Sequence, residues 1–173
     1  GYPGGQIMPF FDRIYEEDGL RMILVRHEQS AGHAADGFAR ASGKLGVCVA
    51  TSGPGATNCA TPISDCMADS VPVVLISGQV ARHSIGTDAF QEAPVYNLMS
   101  ACAKHVFLVS DETKLESTVR TAFNIARSGR PGPVVVDIPK DVQNYVGAYR
   151  GEGRLEHRGF DKRMCELEAA RIS

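Results

Sequence analysis

The chain has 173 residues, 18 Lys and Arg against 20 Asp and Glu, a formal net charge of −2 and 43% hydrophobic residues. That length suits one domain with a real core and a short extension. The near-neutral charge speaks against a nucleic-acid or anionic-membrane surface, and no apolar stretch approaches the roughly 20 residues of a membrane span. There is no signal-peptide pattern and no N-x-S/T site. The five cysteines, Cys48, Cys59, Cys66, Cys102 and Cys165, are odd in number and form no C-x-x-C pair; they read as reduced, mostly buried thiols of a cytoplasmic compartment. The opening Gly1-Tyr-Pro-Gly-Gly reads as a loop leaving a strand, so the sequence is taken as a piece of a longer protein.

In chain order, helical patterns are predicted over residues 6–16, 29–42, 56–68, 93–100 and 113–128. Apolar runs at 22–25, 46–50, 73–77, 105–109 and 134–138 are predicted strands. The strands are rich in Val, Ile and Leu with little polar alternation, as expected of a parallel sheet covered on both faces. The last long helix carries Leu115, Val119, Ala122, Phe123 and Ala126 as an apolar stripe, and Gly129-Arg-Pro-Gly-Pro133 ends it. The alternation predicts an α/β fold, a doubly wound parallel sheet with helices on both faces and right-handed crossovers. Charged residues fill 11 of the last 26 positions. Residues 1–145 are therefore expected to form the domain. Residues 146–173 read as a charged linker with a short helix near 163–172, where a further domain would start.

Glu28 is the residue of greatest interest. It falls where the predicted strand at 22–25 gives way to a helix, and in open α/β sheets that edge is where ligands bind. A carboxylate set there among apolar and small residues is suited to holding or sharing a proton. The next strand is followed by Thr51-Ser-Gly-Pro-Gly-Ala-Thr-Asn58. Free N–H groups at such a glycine turn can cradle a phosphate, but Asn58 stands where a dinucleotide fingerprint needs its third glycine, and no Gly-Lys-Ser/Thr follows. By itself the loop is equally well a tight turn.

His27, Glu28 and His33 do not make a zinc site, because the histidines lie six apart rather than four, and no metal ligands are assigned. His105 reads as structural, and Asp65 and Asp69 as solvent-facing or capping. Gly86-Thr-Asp-Ala-Phe-Gln-Glu92 reads as a loop over the ligand edge, a functional position or an ordinary crossover. Lys140 follows the fifth predicted strand at the same edge, and Arg82 and His83 receive no role.

Taken together and in order, Gly1-Tyr-Pro-Gly-Gly, Arg26-His-Glu-Gln, His33-Ala-Ala-Asp-Gly-Phe-Ala-Arg, Thr51-Ser-Gly-Pro-Gly-Ala-Thr-Asn, Ser77-Gly-Gln-Val, Ile85-Gly-Thr-Asp-Ala-Phe-Gln-Glu and Arg130-Pro-Gly-Pro-Val resemble the pyrimidine-binding domain of thiamine-diphosphate enzymes. The resemblance runs from Gly1 to about Gln143. Glu28 and the glycine loop are shared with pyruvate oxidase and related decarboxylases. The 85–92 loop with Ile138-Pro-Lys-Asp narrows it to the large subunit of acetolactate (acetohydroxyacid) synthases.

The resemblance implies a carboligase that decarboxylates pyruvate and joins the two-carbon unit to a second 2-oxo acid, pyruvate or 2-oxobutanoate, in branched-chain amino acid biosynthesis. It implies that Glu28 bonds a ring nitrogen of the cofactor's aminopyrimidine and favours its imino form, whose nitrogen deprotonates the thiazolium carbon. Tyr2, Pro3, Pro54 and Asn58 would line the pyrimidine pocket, and Phe90, Gln91 and Lys140 the substrate channel, with Gln91 and Lys140 among the catalytic residues. Mg2+ and FAD would be held by domains absent from this chain. The cofactor would lie between two subunits of a homo-oligomer, to which a regulatory small subunit is a possible addition. Two positions depart from the family pattern, Gln6 in place of alanine or serine and Ala81 in place of proline or serine. Both line the herbicide channel of the plant and fungal enzymes, so weak sulfonylurea sensitivity is expected. The alternatives are another thiamine-diphosphate enzyme of the pyruvate oxidase and decarboxylase group, or a non-catalytic pyrimidine-type interaction module.

Overall fold

The computed structural model describes residues 1–149, 151 and 166. Strands β1 (Gly46–Ala50), β2 (Val73–Gln79), β3 (His105–Leu108) and β4 (Val134–Pro139) form one sheet in the order β1-β2-β4-β3, and every pairing is parallel. Cys48, Leu75, Val135 and Val106 stand in one row across it. Successive side chains of a strand point to opposite faces, and both faces are covered. Cys48, Val73, Leu75, Val106 and Val135 pack with helices α2 (Glu28–Ser42), α3 (Pro54–Thr57), α4 (Ala60–Ala68) and α5 (Val95–Ser100). Val49, Val74, Ile76, Val134 and Val136 pack with α1 (Met8–Tyr15), α6 (Leu115–Arg127) and α7 (Lys140–Gln143). The expected three-layer α/β architecture is therefore present.

Parallel pairing brings all four strand ends, and the loops leaving them, to one edge. Helix α2 delivers Glu28 there. It is capped at its start by the His27 ring, whose Nδ1 accepts the Gln29 N–H at 3.1 Å. Gly43, at φ 68°, ends it in the left-handed conformation that glycine adopts without a Cβ penalty. Its buried stripe is all small: Ala31, Gly32, Ala35 and Ala39. A Cβ on Gly32 would stand 2.3 Å from Pro62, and one on Gly46 only 2.2 Å from the Ala35 carbonyl oxygen. Backbone thus lies almost directly on backbone at Gly46 and on a proline ring at Gly32, and little slack remains in the seating of α2.

Residues 22–25 do not join the sheet, contrary to expectation. They run beside Gly1, whose amino group donates to the Ile23 carbonyl at 2.9 Å and whose carbonyl accepts the Val25 N–H at 3.2 Å. With one residue as partner there is no ladder, and Ile23 and Leu24 stay exposed. The single helix expected over 56–68 is two, α3 and α4, with the break at Asn58 and Cys59, where ψ flattens to −17° and −3°. The helix expected over 113–128 starts as a 3-10 turn, Glu112–Lys114, capped by Asp111, which accepts the Thr113 N–H at 3.0 Å. Gly129, at φ 56°, follows its end as expected. The helix expected near 163–172 lies outside the described residues, save Glu166, which is helical. Among the described residues no helix is long and apolar enough to cross a membrane.

Candidate functional site

At the carboxyl edge, Asn58 Nδ2 donates to Glu28 Oε2 at 3.0 Å. The break between α3 and α4 makes this possible, because it turns Asn58 toward the start of α2. Among the described residues Glu28 Oε1 accepts no hydrogen bond, so one oxygen of a half-buried carboxylate is fixed and the other is free. Beside it lies Gly55, where a Cβ would stand 3.5 Å from Oε1 and 2.7 Å from the Thr51 methyl. The Cys59 thiol points to the Glu28 and Gly55 carbonyls at 3.7 Å each. Cys48, Cys59, Cys66 and Cys102 are free thiols, and the first three are buried.

The amino-terminal segment lies along the same loop. The Tyr2 N–H donates to the Val49 carbonyl at 3.0 Å, and the Gln6 N–H to Thr51 Oγ1 at 3.3 Å. Gly4 packs on the Thr51 side chain so closely that a Cβ there would be 2.5 Å from it. Tyr2 and Pro3, both exposed, are therefore held over the strand end that opens the glycine loop, and Pro54 is exposed on the loop itself.

The 85–92 loop meets this group from the other side. Gly53, at φ 59°, faces the Gln91 backbone so closely that a Cβ would be 2.5 Å from the Gln91 carbonyl oxygen. Gln91 itself takes φ 62°, an unusual conformation for a residue with a side chain. Glu92 organises the loop: its carboxylate accepts the Gly86 and Ala89 N–H groups, and these backbone bonds, that from Gly86 first, hold it below the usual carboxylate range. Phe90 is 84% exposed at the loop tip.

Lys140 sits apart from Glu28. It opens α7 and lines a cleft of about 650 Å3 with Met8, Asp12 and Tyr15 of α1 and Tyr145 beyond α7. Glu28, Pro54 and Asn58 are not in its wall. The chemistry of the donor set, rather than the size of the hollow, therefore marks the Glu28 edge as the site. Gln6 bridges the two regions, because Gln143 Nε2 donates to its carbonyl at 2.8 Å while its N–H is on Thr51.

Sequence reasoning gave Arg82 no role, yet it clamps its own turn to the 110–112 segment and to α7. Nε donates to Asp141 Oδ2 at 2.6 Å, and Nη1 to Glu112 Oε2 at 2.7 Å and the Ser110 carbonyl at 2.9 Å. Its neighbours Ala81 and Lys140 flank that clamp. A second missed group is Asp137, 1% exposed on β4. Its signal was present in the sequence as one carboxylate inside the apolar run Val134-Val-Val-Asp-Ile. Burial pushes its carboxyl up to about 7, against the opposing pull of hydrogen bonds from Ser77 and Gln79. The His105 ring stands edge-on to Phe107, with the ring centres 4.4 Å apart. Asp69 at the end of α4 pairs with Arg40 at 2.7 Å, and Asp65 lies 3.8 Å from His33.

A family described as "Thiamine pyrophosphate enzyme, N-terminal TPP binding domain" matches residues 1–101. The chain belongs to that family. Among curated relatives, it is 58% identical over 143 residues to the acetolactate synthase isozyme 2 large subunit of Escherichia coli, covering 83% of this chain and 26% of the relative. It is 56% identical over 177 residues to an acetolactate synthase large subunit of Parasynechococcus marenigrum, covering 98% and 28%. It is 54% identical over 142 residues to the mitochondrial acetolactate synthase catalytic subunit of Saccharomyces cerevisiae, covering 82% and 21%. The chain thus spans about a quarter of the length of the curated relatives it matches. Within this thiamine pyrophosphate family, the free Oε1 of Glu28 beside a side-chain-free Gly55 fits an aminopyrimidine: one acceptor oxygen stands ready, and no Cβ fills the space next to it.

Proposed function

We propose that this chain is the pyrimidine-binding part of a thiamine-diphosphate carboligase that makes 2-acetolactate from pyruvate, or 2-aceto-2-hydroxybutanoate when 2-oxobutanoate is the second substrate. The observation that carries the reading is the Glu28–Asn58 pair, with Oε2 engaged at 3.0 Å and Oε1 left free. Its similarity to acetolactate synthases at 54–58% identity supports the choice of reaction.

When bound, thiamine diphosphate supplies a thiazolium that stabilises a carbanion. The residues of this chain bind and orient the pyrimidine end. Asn58 fixes the plane of the Glu28 carboxyl by engaging Oε2. Glu28 then holds a proton at Oε1 and gives it to a ring nitrogen, acting as a positioned acid. Tyr2, Pro3 and Pro54 wall the pyrimidine. The tight seating of α2 on β1 and α4 keeps Oε1 in place. Phe90 and Gln91 line the substrate side from the 85–92 loop, and Lys140 offers a cation for a 2-oxo acid carboxylate as the substrate approaches. Gln6 and Ala81 shape the channel wall, which would weaken sulfonylurea binding.

In this reading residues 1–145 are the pyrimidine domain and 146–173 lead into a middle domain. Mg2+ and FAD are held elsewhere in the full-length protein, and the site is completed by a second subunit of a homodimer or larger assembly, with or without a regulatory small subunit. Free thiols at four cysteines suit a cytoplasmic setting. The test is acetolactate formation from pyruvate by the full-length protein and its Glu28→Gln variant. Activity in the first and a loss of about 100- to 10,000-fold in the second are expected. A full-length protein that binds thiamine diphosphate but leaves pyruvate untouched would make it a different member of the family.

A further inference from the structure

The loop bearing Phe90 and Gln91 is moored to the sheet through one amide. Gln79, the last polar residue of β2, is 3% exposed. Its Nε2 donates to the Ala93 carbonyl at 3.0 Å and to Asp137 Oδ2 at 2.9 Å, and its Oε1 accepts the Val80 N–H at 2.8 Å. Among the described residues this is the one hydrogen bond from the 86–93 segment to a strand. Ser77 Oγ completes the group by donating to Asp137 Oδ1 at 2.7 Å.

The chemistry of the group is directional. A side-chain amide has one face that donates and one that accepts. Asp137 offers Gln79 an acceptor, and the Val80 N–H offers it a donor, so the two together fix which way the amide points. The remaining N–H is thereby aimed at Ala93. A carboxyl buried in the middle of an apolar sheet is costly unless it is hydrogen-bonded, and here both of its oxygens are used to hold side chains of β2. Ala93 directly follows Glu92, which gathers the loop's N–H groups, and Gln91 lies against Gly53 with no room for a Cβ between them. A displacement at Ala93 is therefore passed first to Gln91.

We propose that Gln79, oriented by Asp137 and Ser77, is a positioning residue that sets the 86–93 loop at the height needed to receive the 2-oxo acid. The role of that loop rests on the function proposed above. The clamp governs substrate binding, while Glu28 and Asn58 govern the cofactor; among the described residues no hydrogen bond runs from the clamp's side chains to α2 or α3.

The experiment uses the full-length protein with Gln79→Met, which keeps length but has no donor, Gln79→Asn, which keeps the amide but falls short of Ala93, and Asp137→Asn. Amide hydrogen exchange over residues 86–93 should speed up about tenfold in the first two, the loss of roughly one buried hydrogen bond. KM for pyruvate should rise by a similar factor, while thiamine diphosphate affinity stays within about twofold of wild type. Asp137→Asn should behave as the rescue, because its oxygen still accepts from Gln79 and its amide can donate to Ser77. Should Gln79→Met fail to fold, Gln79→Asn carries the comparison. Unchanged exchange over 86–93 in both Gln79 variants, or cofactor affinity and pyruvate KM worsening together, would overturn the proposal. The exchange comparison needs no catalysis, so it decides the clamp even if the reaction assigned above is wrong.

Discussion

Two regions meet at the carboxyl edge, and they are held by different forces. The Glu28 side is seated by close packing of small residues. Gly32 lies on Pro62 and Gly46 on the Ala35 carbonyl, and Ala31, Ala35 and Ala39 fill the rest of the seam. The Gln91 side is seated by hydrogen bonds, from Glu92 within the loop and from Gln79 and Asp137 beneath it, and it leaves Phe90 in solvent. Packed interiors do not deform continuously, so the first region should resist pH and fail when volume is added. The second should fail when a donor is removed, and it contains, among the described residues, the one buried carboxyl whose titration falls near neutrality. In the function proposed above, a group that holds a proton at a fixed atom and a loop that receives substrate call for those two kinds of support.

The largest expected effect tests the buried carboxyl. In the native chain Asp137 keeps its proton up to about 7, whereas an unfolded aspartate releases it near 3.8. Between those values the native state binds the extra proton, so stability should fall as pH rises, by at most about 1.4 kcal/mol per pH unit. The neutral Ser77 and Gln79 are its hydrogen-bond partners, and no charged group adds to the shift. Urea unfolding across pH 4 to 8 should show this slope in the wild-type chain and lose it in Asp137→Asn. The same slope in both would place the titration elsewhere.

Adding volume to the packed region comes next. Gly46→Val should cost about 3 kcal/mol, because its Cβ meets a backbone carbonyl rather than a side chain that can turn away. Urea denaturation at pH 7 measures it, and a cost under 1 kcal/mol would show that α2 is more loosely seated than its contacts imply. The junction of the two regions should respond less. Gly53→Ala forces a side chain into φ 59° and against Gln91, for about 1–3 kcal/mol. The smallest effect belongs to Arg82, whose ion pairs with Asp141 and Glu112 are partly exposed. Arg82→Met should change stability least of these variants, with the change shrinking in high salt; urea denaturation in low and high salt measures it.

Much of this arrangement was legible in the sequence, and the exceptions are physical. Apolar runs marked the four paired strands, most clearly β2 and β4, which are buried along their whole length and so show little polar alternation. Residues 22–25 look the same in composition, but a strand is defined by its partners, and among the described residues their backbone bonds only to Gly1. The nearness of Glu28 to the 51–58 loop was expected from strands preceding both; residues 22–25 are not in the sheet, and it is the packing of α2 on β1 that brings Glu28 to that edge. The break at Asn58 did not follow, because nothing in Ala-Thr-Asn-Cys-Ala stops a helix by propensity alone; the turn is what brings Asn58 to Glu28. The clamp was hidden for a related reason. Gln79, Ala93 and Asp137 are 14 and 58 residues apart in the chain, and only the strand order β1-β2-β4-β3 brings β4 against β2. Lys140 shows the reverse case: the sequence put it at the correct edge, and the fold turned it toward α1.

The central claim is that Glu28 holds the proton that activates the cofactor, and proton–deuterium exchange at the thiazolium carbon tests it most directly. The measurement is made with the full-length protein loaded with thiamine diphosphate, without pyruvate. Glu28→Gln keeps the shape of the side chain and its contact with Asn58 but has no acidic proton to give. Exchange should slow by about 100- to 10,000-fold while cofactor affinity changes little. Exchange at the wild-type rate in Glu28→Gln would contradict the account and leave Glu28 a structural residue.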